Sequence, residues 1–182
     1  MSLIFLDRDG VINRFPGKGL YVTRQSDFVF LSGARQAIRL LSRAGHELAV
    51  ISNQGCVSRG TLTKKELRAI TRRMLSAVEK SGGKIHRVHY CLHQTKDRCG
   101  CKKPKLGLIR EAVKGRRRLL KGSFFVGDSW EDMEAARRAG CRAVLVLSGR
   151  AKRKNLREFK VGPELVKKNL LEAARWILKQ KS

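Results

Sequence analysis

Five short runs rich in apolar residues, at 3–6, 47–51, 85–91, 123–126 and 142–147, alternate along this chain with longer amphipathic stretches. That alternation constrains the fold more than any other feature. Short strands buried on both faces belong to parallel sheets, and parallel neighbours must be joined by a crossover, usually a helix. The stretches at 34–44, 64–81, 106–114, 131–139 and 164–179 are the helices this pattern predicts. Ala37, Ile38, Leu40 and Leu41 give the first of them an apolar face, with Gly45 as its C-terminal stop. Thr63 and Glu66 stand at capping-box spacing before the second, and Gly140 closes the fourth. Residues 149–162 are polar and basic, and read as a surface loop or short helix. The expected fold is α/β, a Rossmann-like three-layer sandwich around a mostly parallel central sheet. No repeat or low-complexity linker divides the 182 residues, so 1–182 is expected to be a single domain.

No apolar run approaches the length of a bilayer-spanning helix, and Met1 leads directly into the first apolar run without a basic or cleavable leader. The expectation is a cytoplasmic protein with no membrane partner, and a monomer. Forty-one Lys and Arg stand against 15 Asp and Glu, a formal charge of +26. Such a field attracts anions, whether phosphorylated metabolites or nucleic acid. The densest basic stretches, at 114–121, 152–154 and 167–168, are not interleaved with aromatics as a base-stacking surface requires. The charge is therefore read as solubility and steering before recognition.

In open parallel sheets, ligands bind beyond the carboxyl ends of the strands. Asp7 and Asp9 follow the first run, Ser52 and Asn53 the second, Cys91 and His93 the third, and Asp128 the fourth, with Asp132 one helical turn on. Acids gathered at one sheet edge repel one another unless a cation joins them, and oxygen-only ligands suit Mg²⁺. Asp128 alone would equally serve as a helix N-cap, but capping does not account for Asp7 and Asp9 together.

The segment Phe5-Leu6-Asp7-Arg8-Asp9-Gly10-Val11-Ile12-Asn13 resembles the first motif of haloacid-dehalogenase-like phosphatases. Ser52 resembles the second motif of that family, Lys103 the third, and Gly127-Asp128-Ser129-Trp130-Glu131-Asp132 the fourth. Within the superfamily the chain most resembles the heptose 1,7-bisphosphate phosphatases and the related histidinol phosphatases. The resemblance implies catalysis through a phosphorylated Asp7, with Asp9 as acid and then base. It also implies Mg²⁺ on Asp7, Asp128 and the backbone carbonyl of Asp9, phosphate contacts from Ser52 and Lys103, and Asp132 as a support. Asn53, Gln54, Arg59 and Lys102 are expected around the substrate.

Cys91, His93, Cys99 and Cys101 place three thiols and one imidazole within eleven residues. That set suits a closed tetrahedral Zn²⁺ site, structural in role, which would order a loop with no apolar anchor. An odd total of five cysteines and no export signal favour metal over disulfides, and Cys56 and Cys141 read as packing residues. The zinc loop would stand in place of a large cap domain.

Four positions depart from the family pattern: Ser52 for threonine, Cys56 for glycine, Leu92 for proline and Lys102 for arginine. The last bears on substrate, because lysine lacks the arginine fork that grips a second anionic group. The favoured expectation is hydrolysis of a small sugar phosphate, a heptose bisphosphate. Histidinol phosphate and a nucleic-acid 3′-phosphate are the alternatives within phosphatase chemistry. A catalytically idle, basic nucleic-acid-binding module is the alternative of another class, and the intact Asp7, Asp9, Lys103 and Asp128 argue against it.

Overall fold

The computed structural model describes residues 2–116 and 120–180, so Arg117 and Arg118 of the basic stretch at 114–121 lie outside the described residues. Strands β1 (Leu3–Leu6), β2 (Glu47–Asn53), β3 (Arg87–Cys91), β4 (Phe124–Gly127), β5 (Arg142–Val146) and β6 (Leu165–Lys167) form one sheet in the order β3-β2-β1-β4-β5-β6. Every pairing in it is parallel. Helices α1 (Ala34–Arg43), α2 (Lys64–Lys80), α3 (Gly107–Val113), α4 (Trp130–Ala139) and α5 (Leu170–Ile177) cover its two faces.

Alternation along the strands divides the core into two. Ile4, Leu6, Leu48, Val50, Val126 and Val144 face α1, α2 and α5, while Phe5, Ala49, Ile51, Phe125 and Leu145 face α3 and α4. Successive side chains of a strand point to opposite faces, so continuous apolar runs serve both layers. The capping box at Thr63 and Glu66 is present, and Gly140 ends α4 at φ 74°.

One element differs from the sequence reading. The expected helix at 164–179 begins with strand β6, and α5 starts only at Leu170. Three residues are too short for a strand periodicity to show. Their conformation comes from pairing with β5, where Val144 opposes Leu165, a contact that local propensity cannot express. Residues 153–158, inside the basic stretch, form a 3₁₀ turn.

The strand order reverses direction between β1 and β4, so a crevice opens beyond their carboxyl ends. Asp7 and Asp128 are the residues that follow those two strands. Among the described residues no helical or sheet insertion roofs this crevice. The loop between β1 and α1, through Phe15, Pro16, Gly17, Gly19, Leu20 and Tyr21, walls it instead.

Candidate active site

The crevice is a cleft of about 250 Å³ lined by Asp7, Asp9, Ser52, Asn53, Lys102, Lys103 and Asp128 among others. At its floor Lys103 is buried, with Nζ 2.9 Å from Asp7 Oδ1 and 2.6 Å from Asp132 Oδ1. The same ammonium donates to the carbonyl of Ile51 at 2.8 Å, which ties it to the end of β2. Asn53 grips the backbone of Lys103 from both sides, accepting from its N–H at 3.0 Å and donating to its carbonyl at 3.3 Å. Burial opposes the charge on Lys103, but Asp132 and Asp7 hold its pKa above the ordinary lysine value.

Asp132 also organises the start of α4. Its Oδ2 accepts from the N–H groups of Asp128 and Ser129, each at 3.1 Å, and from the Ser129 hydroxyl at 2.6 Å. Asp132 stands at the third position of the helix and takes the N-cap N–H, its half of a capping box. The N-cap itself is Ser129, so the capping alternative for Asp128 does not hold. Asp128 instead points to the crevice, where Oδ2 accepts from the N–H of Arg150 at 2.7 Å.

Backbone approaches Asp128 closely. A Cβ at Gly10 would lie 2.1 Å from Asp128 Oδ2, and one at Gly149 would lie 1.8 Å from it. Both glycines are required by that approach, and Gly10 also has φ 90°.

Asp9 is held differently. Arg8 Nη2 meets its Oδ2 at 3.0 Å, Asn13 Nδ2 its Oδ1 at 2.8 Å, and Gln54 Nε2 its Oδ2 at 2.8 Å. Burial favours the neutral acid, yet the Arg8 guanidinium and these amides hold Asp9 below the usual carboxylate range. Arg8 is itself fully buried, bonded to Gln54 Oε1 at 3.0 Å and stacked over the Tyr90 ring.

Two groups of donor atoms fit a metal, one of carboxylate oxygens and one of thiols with an imidazole. Asp7, Asp128 and Asp132 offer oxygens that all lie within 4.8 Å of one another, with Lys103 as the ammonium among them. Asp128 Oδ1 is buried without a hydrogen-bond donor among the described residues. Burial, and then the neighbouring Asp7 and Asp132, push Asp128 well above its ordinary value. A divalent cation beside these oxygens would relieve that cost, and an all-oxygen set suits Mg²⁺. The carboxylate of Asp9 is not among the three.

The second group is Cys91, His93, Cys99 and Cys101, whose ligand atoms also lie within 4.8 Å of one another. Cys91 Sγ is 3.6 Å from Cys99 Sγ and 3.2 Å from Cys101 Sγ, and His93 Nδ1 is 3.3 Å from Cys101 Sγ. Ligand atoms around a tetrahedral zinc, each about 2.0–2.3 Å from the ion, have separations of this order. Burial would raise the Cys99 thiol, but backbone N–H groups of Lys102 and Cys101 bring it down to about 7, so a thiolate is accessible near neutrality.

Two expected substrate contacts stand outside the cleft lining. Gln54 is fully buried and holds Asp9, and Arg59 is exposed and stacked over Tyr21. Asn53 and Lys102 do line the cleft. Sequence reasoning missed Arg8, Asn13 and Arg150. Arg8 lies inside the first motif, but its partners are Gln54, just after β2, and Tyr90 in β3, so the sequence carries no sign of its burial. Arg150 enters the cleft from the loop after β5, with Nη1 3.5 Å from Glu131 and the guanidinium over Phe15. No motif spacing marks it.

The floor of the site yields a pH prediction. Burial first, then Asp132 and Asp9, outweigh Lys103 and raise Asp7 from 3.8 to about 6. The folded chain therefore binds this proton more tightly than the unfolded chain. The protonated carboxyl contributes its full stability below about pH 4 and loses it as pH rises through about 6. The loss is on the order of 3 kcal/mol. In Mg²⁺-free buffer, the melting temperature of wild type relative to Asp7→Asn should fall across that interval and level off above it. A constant difference from pH 4 to 7 would mean that Asp7 does not titrate there.

Comparison with known proteins places this geometry among relatives. A family model described as HAD-hydrolase-like matches residues 100–173. The chain is 38% identical over 153 residues to a D-glycero-β-D-manno-heptose-1,7-bisphosphate 7-phosphatase of Pseudomonas putida, covering 84% of this chain and 86% of that one. It is 38% identical over 152 residues to the protein of the same name in Pseudomonas aeruginosa, covering 84% of each. The crystal structure of D,D-heptose 1,7-bisphosphate phosphatase from B. bronchiseptica, complexed with magnesium and phosphate, superposes with a TM-score of 0.91 at 34% identity over 100% of both chains.

Proposed function

The chain belongs to the haloacid-dehalogenase-like phosphatases, and from that premise we propose that it removes the 7-phosphate of D-glycero-D-manno-heptose 1,7-bisphosphate through an aspartyl-phosphate. The observation that carries the reading is the cluster of Asp7, Asp128 and Asp132 at the strand-order reversal, with the buried ammonium of Lys103 paired to Asp7 and Asp132. The names of the similar proteins supply the substrate.

Asp7 is the nucleophile. One of its oxygens bonds to phosphorus as the bond from phosphorus to the sugar oxygen breaks, which divides one difficult hydrolysis into two displacements. Asp9 gives its proton to the departing oxygen and then takes one from the water that attacks the acyl phosphate. Because Asp9 rests as a carboxylate, it must take up a proton before the first step. Arg8, Asn13 and Gln54 fix its position meanwhile. Lys103 and the Ser52 hydroxyl hold phosphoryl oxygens, with Asp132 and Asn53 keeping Lys103 in place. Asp7, Asp128 and the backbone carbonyl of Asp9 would hold Mg²⁺, which when bound neutralises charge on the transferring phosphoryl group. Cys91, His93, Cys99 and Cys101 would hold a structural Zn²⁺.

A compact cleft walled by loops suits a small sugar phosphate better than a polymer end. Lys102 and Arg150 are the further cations in its lining, and in this reading they would meet the second phosphate. Purified protein should cleave heptose 1,7-bisphosphate with a kcat/KM at least about tenfold above that for histidinol phosphate or a 3′-phosphorylated oligonucleotide, a difference of about 1.4 kcal/mol. Lys102→Ala should raise KM for the bisphosphate more than for a monophosphate. A reversed order of substrates would overturn the heptose assignment and leave the phosphatase chemistry standing.

A further inference from the structure

The charge excess is not used by this chemistry. The cleft is lined by three cations, Lys102, Lys103 and Arg150, out of 41 in the chain. Among these four helices the charge is unevenly divided. Helices α1 and α2, neighbours on one side of the sheet, carry nine Lys or Arg against two carboxylates. Helices α3 and α4, on the opposite side, carry three against four. Eight of the nine cations are exposed and Arg39 is half-buried. Among the described residues none of the nine takes part in an ion pair. One of the two acids, Glu66, is committed to the capping box with Thr63.

The cations fall in rows. Arg35, Arg39 and Arg43 are spaced by four on α1, and Lys64, Arg68 and Arg72 by four on α2, so each row runs along one side of its helix with a rise of about 6 Å per step. The arginine row lies against the end of α2, since a Cβ at Gly82 would come within 2.9 Å of Arg43 Nη2 and 3.6 Å of Arg39 Cδ. Unpaired like charges at this density repel one another, and an anion of matching extent relieves that repulsion.

We propose that the α1–α2 face is a sequence-independent docking surface for the phosphate backbone of double-stranded nucleic acid. A duplex presents about one negative charge per 1.7 Å of axis, the regular array that such rows match. Neither helix contains an aromatic residue, and the two that border the rows, Phe30 and Tyr90, are half-buried with Arg35 and Arg8 over their rings, so the face offers no exposed stacking group of the kind that single strands use. A membrane surface fits less well, because interfacial helices need an outward apolar face. The apolar faces of α1 and α2 are turned into the core, and the exposed large hydrophobic residues Leu20, Val29, Trp130 and Leu178 all lie elsewhere.

Titration of a fluorescent duplex of arbitrary sequence tests this. If about five phosphates are neutralised, affinity falls about 500-fold between 50 and 200 mM salt. The variant Arg35→Gln/Arg43→Gln/Arg68→Gln/Arg72→Gln/Arg73→Gln should bind at least about 50-fold more weakly at 100 mM salt, with a flatter salt dependence. A second variant, Lys121→Gln/Arg153→Gln/Lys154→Gln/Arg157→Gln/Lys160→Gln, removes the same charge elsewhere and should stay within about fivefold of wild type. Both should keep their circular dichroism and their phosphatase turnover. Equal weakening in the two variants, no duplex binding by wild type at 50 mM salt, or tighter binding to phosphatidylserine vesicles than to duplex would each overturn the proposal.

Discussion

Asp7→Asn should lower kcat by at least about 10⁴-fold, the scale seen when a sole nucleophile is removed, while leaving the fold intact. Asparagine keeps the shape of aspartate, and its side-chain oxygen can still accept from Lys103 Nζ, which stands 2.9 Å from Asp7 Oδ1. What it loses is the anionic oxygen that forms the bond to phosphorus. The substitution also removes a carboxylate whose ionisation burial opposes, so in Mg²⁺-free buffer near neutrality the variant should be at least as stable as wild type. Phosphate release measured on the purified variant, with mass spectrometry for a phosphorylated Asp7 in wild type, checks both halves of the expectation. Turnover near the wild-type rate would end the aspartyl-phosphate mechanism. It would not touch the fold, which rests on separate observations.

The second large effect belongs to the cysteine cluster. Cys91 closes β3 and is buried in the core, whereas Cys99 and Cys101 sit on the loop that runs directly into Lys102 and Lys103. A metal joining them would fasten that loop to the sheet. Besides the cluster, the loop is held by polar contacts such as Ser58 to Asp97 at 2.9 Å and Lys105 Nζ to the Cys99 carbonyl at 2.7 Å. Cys99→Ser/Cys101→Ser should therefore lose one equivalent of zinc by elemental analysis. It should lose on the order of 3 kcal/mol or more of stability, about 10 °C in melting temperature for a chain of this size. Turnover should fall with it, because Lys103 reaches Asp7 and Asp132 from this loop. A reduced wild-type protein without zinc, and a double variant that melts where wild type melts, would together remove the structural clip.

The two predictions draw on features that differ in how far the sequence discloses them. Asp7, Asp9 and Asp128 could be found because each follows an apolar run, and a strand end is a local property. The cysteine cluster could be found because its four residues fall within eleven positions. The positions of α1 to α4 were likewise legible from helical periodicity, and the capping box at Thr63 from its spacing. Strand β6 was not legible, since Leu165-Val166-Lys167 becomes a strand only by pairing with β5. The support of Asp9 was equally hidden. Arg8 reads as one more surface cation until Gln54, which follows β2, and Tyr90 of β3 enclose it.

What the sequence by itself determined, then, is whatever is written in neighbouring residues: alternation, caps, the order of strands and helices along the chain, and the polar residues that punctuate strand ends. What only the tertiary structure decided is which of those residues meet. Asn53 holds the backbone of Lys103 fifty positions away, Gln54 leaves the substrate for Asp9, and Arg150 arrives at the cleft from beyond β5. The charge shows the same division. A total of +26 is a property of composition, but which cations come to share a face was decided when α1 and α2 turned their apolar stripes to the same side of the sheet. The physical reason is one of range. Propensity and periodicity act within a few residues, whereas burial, ion pairing and the surface field depend on distance in space, which is set only when the strands take their order.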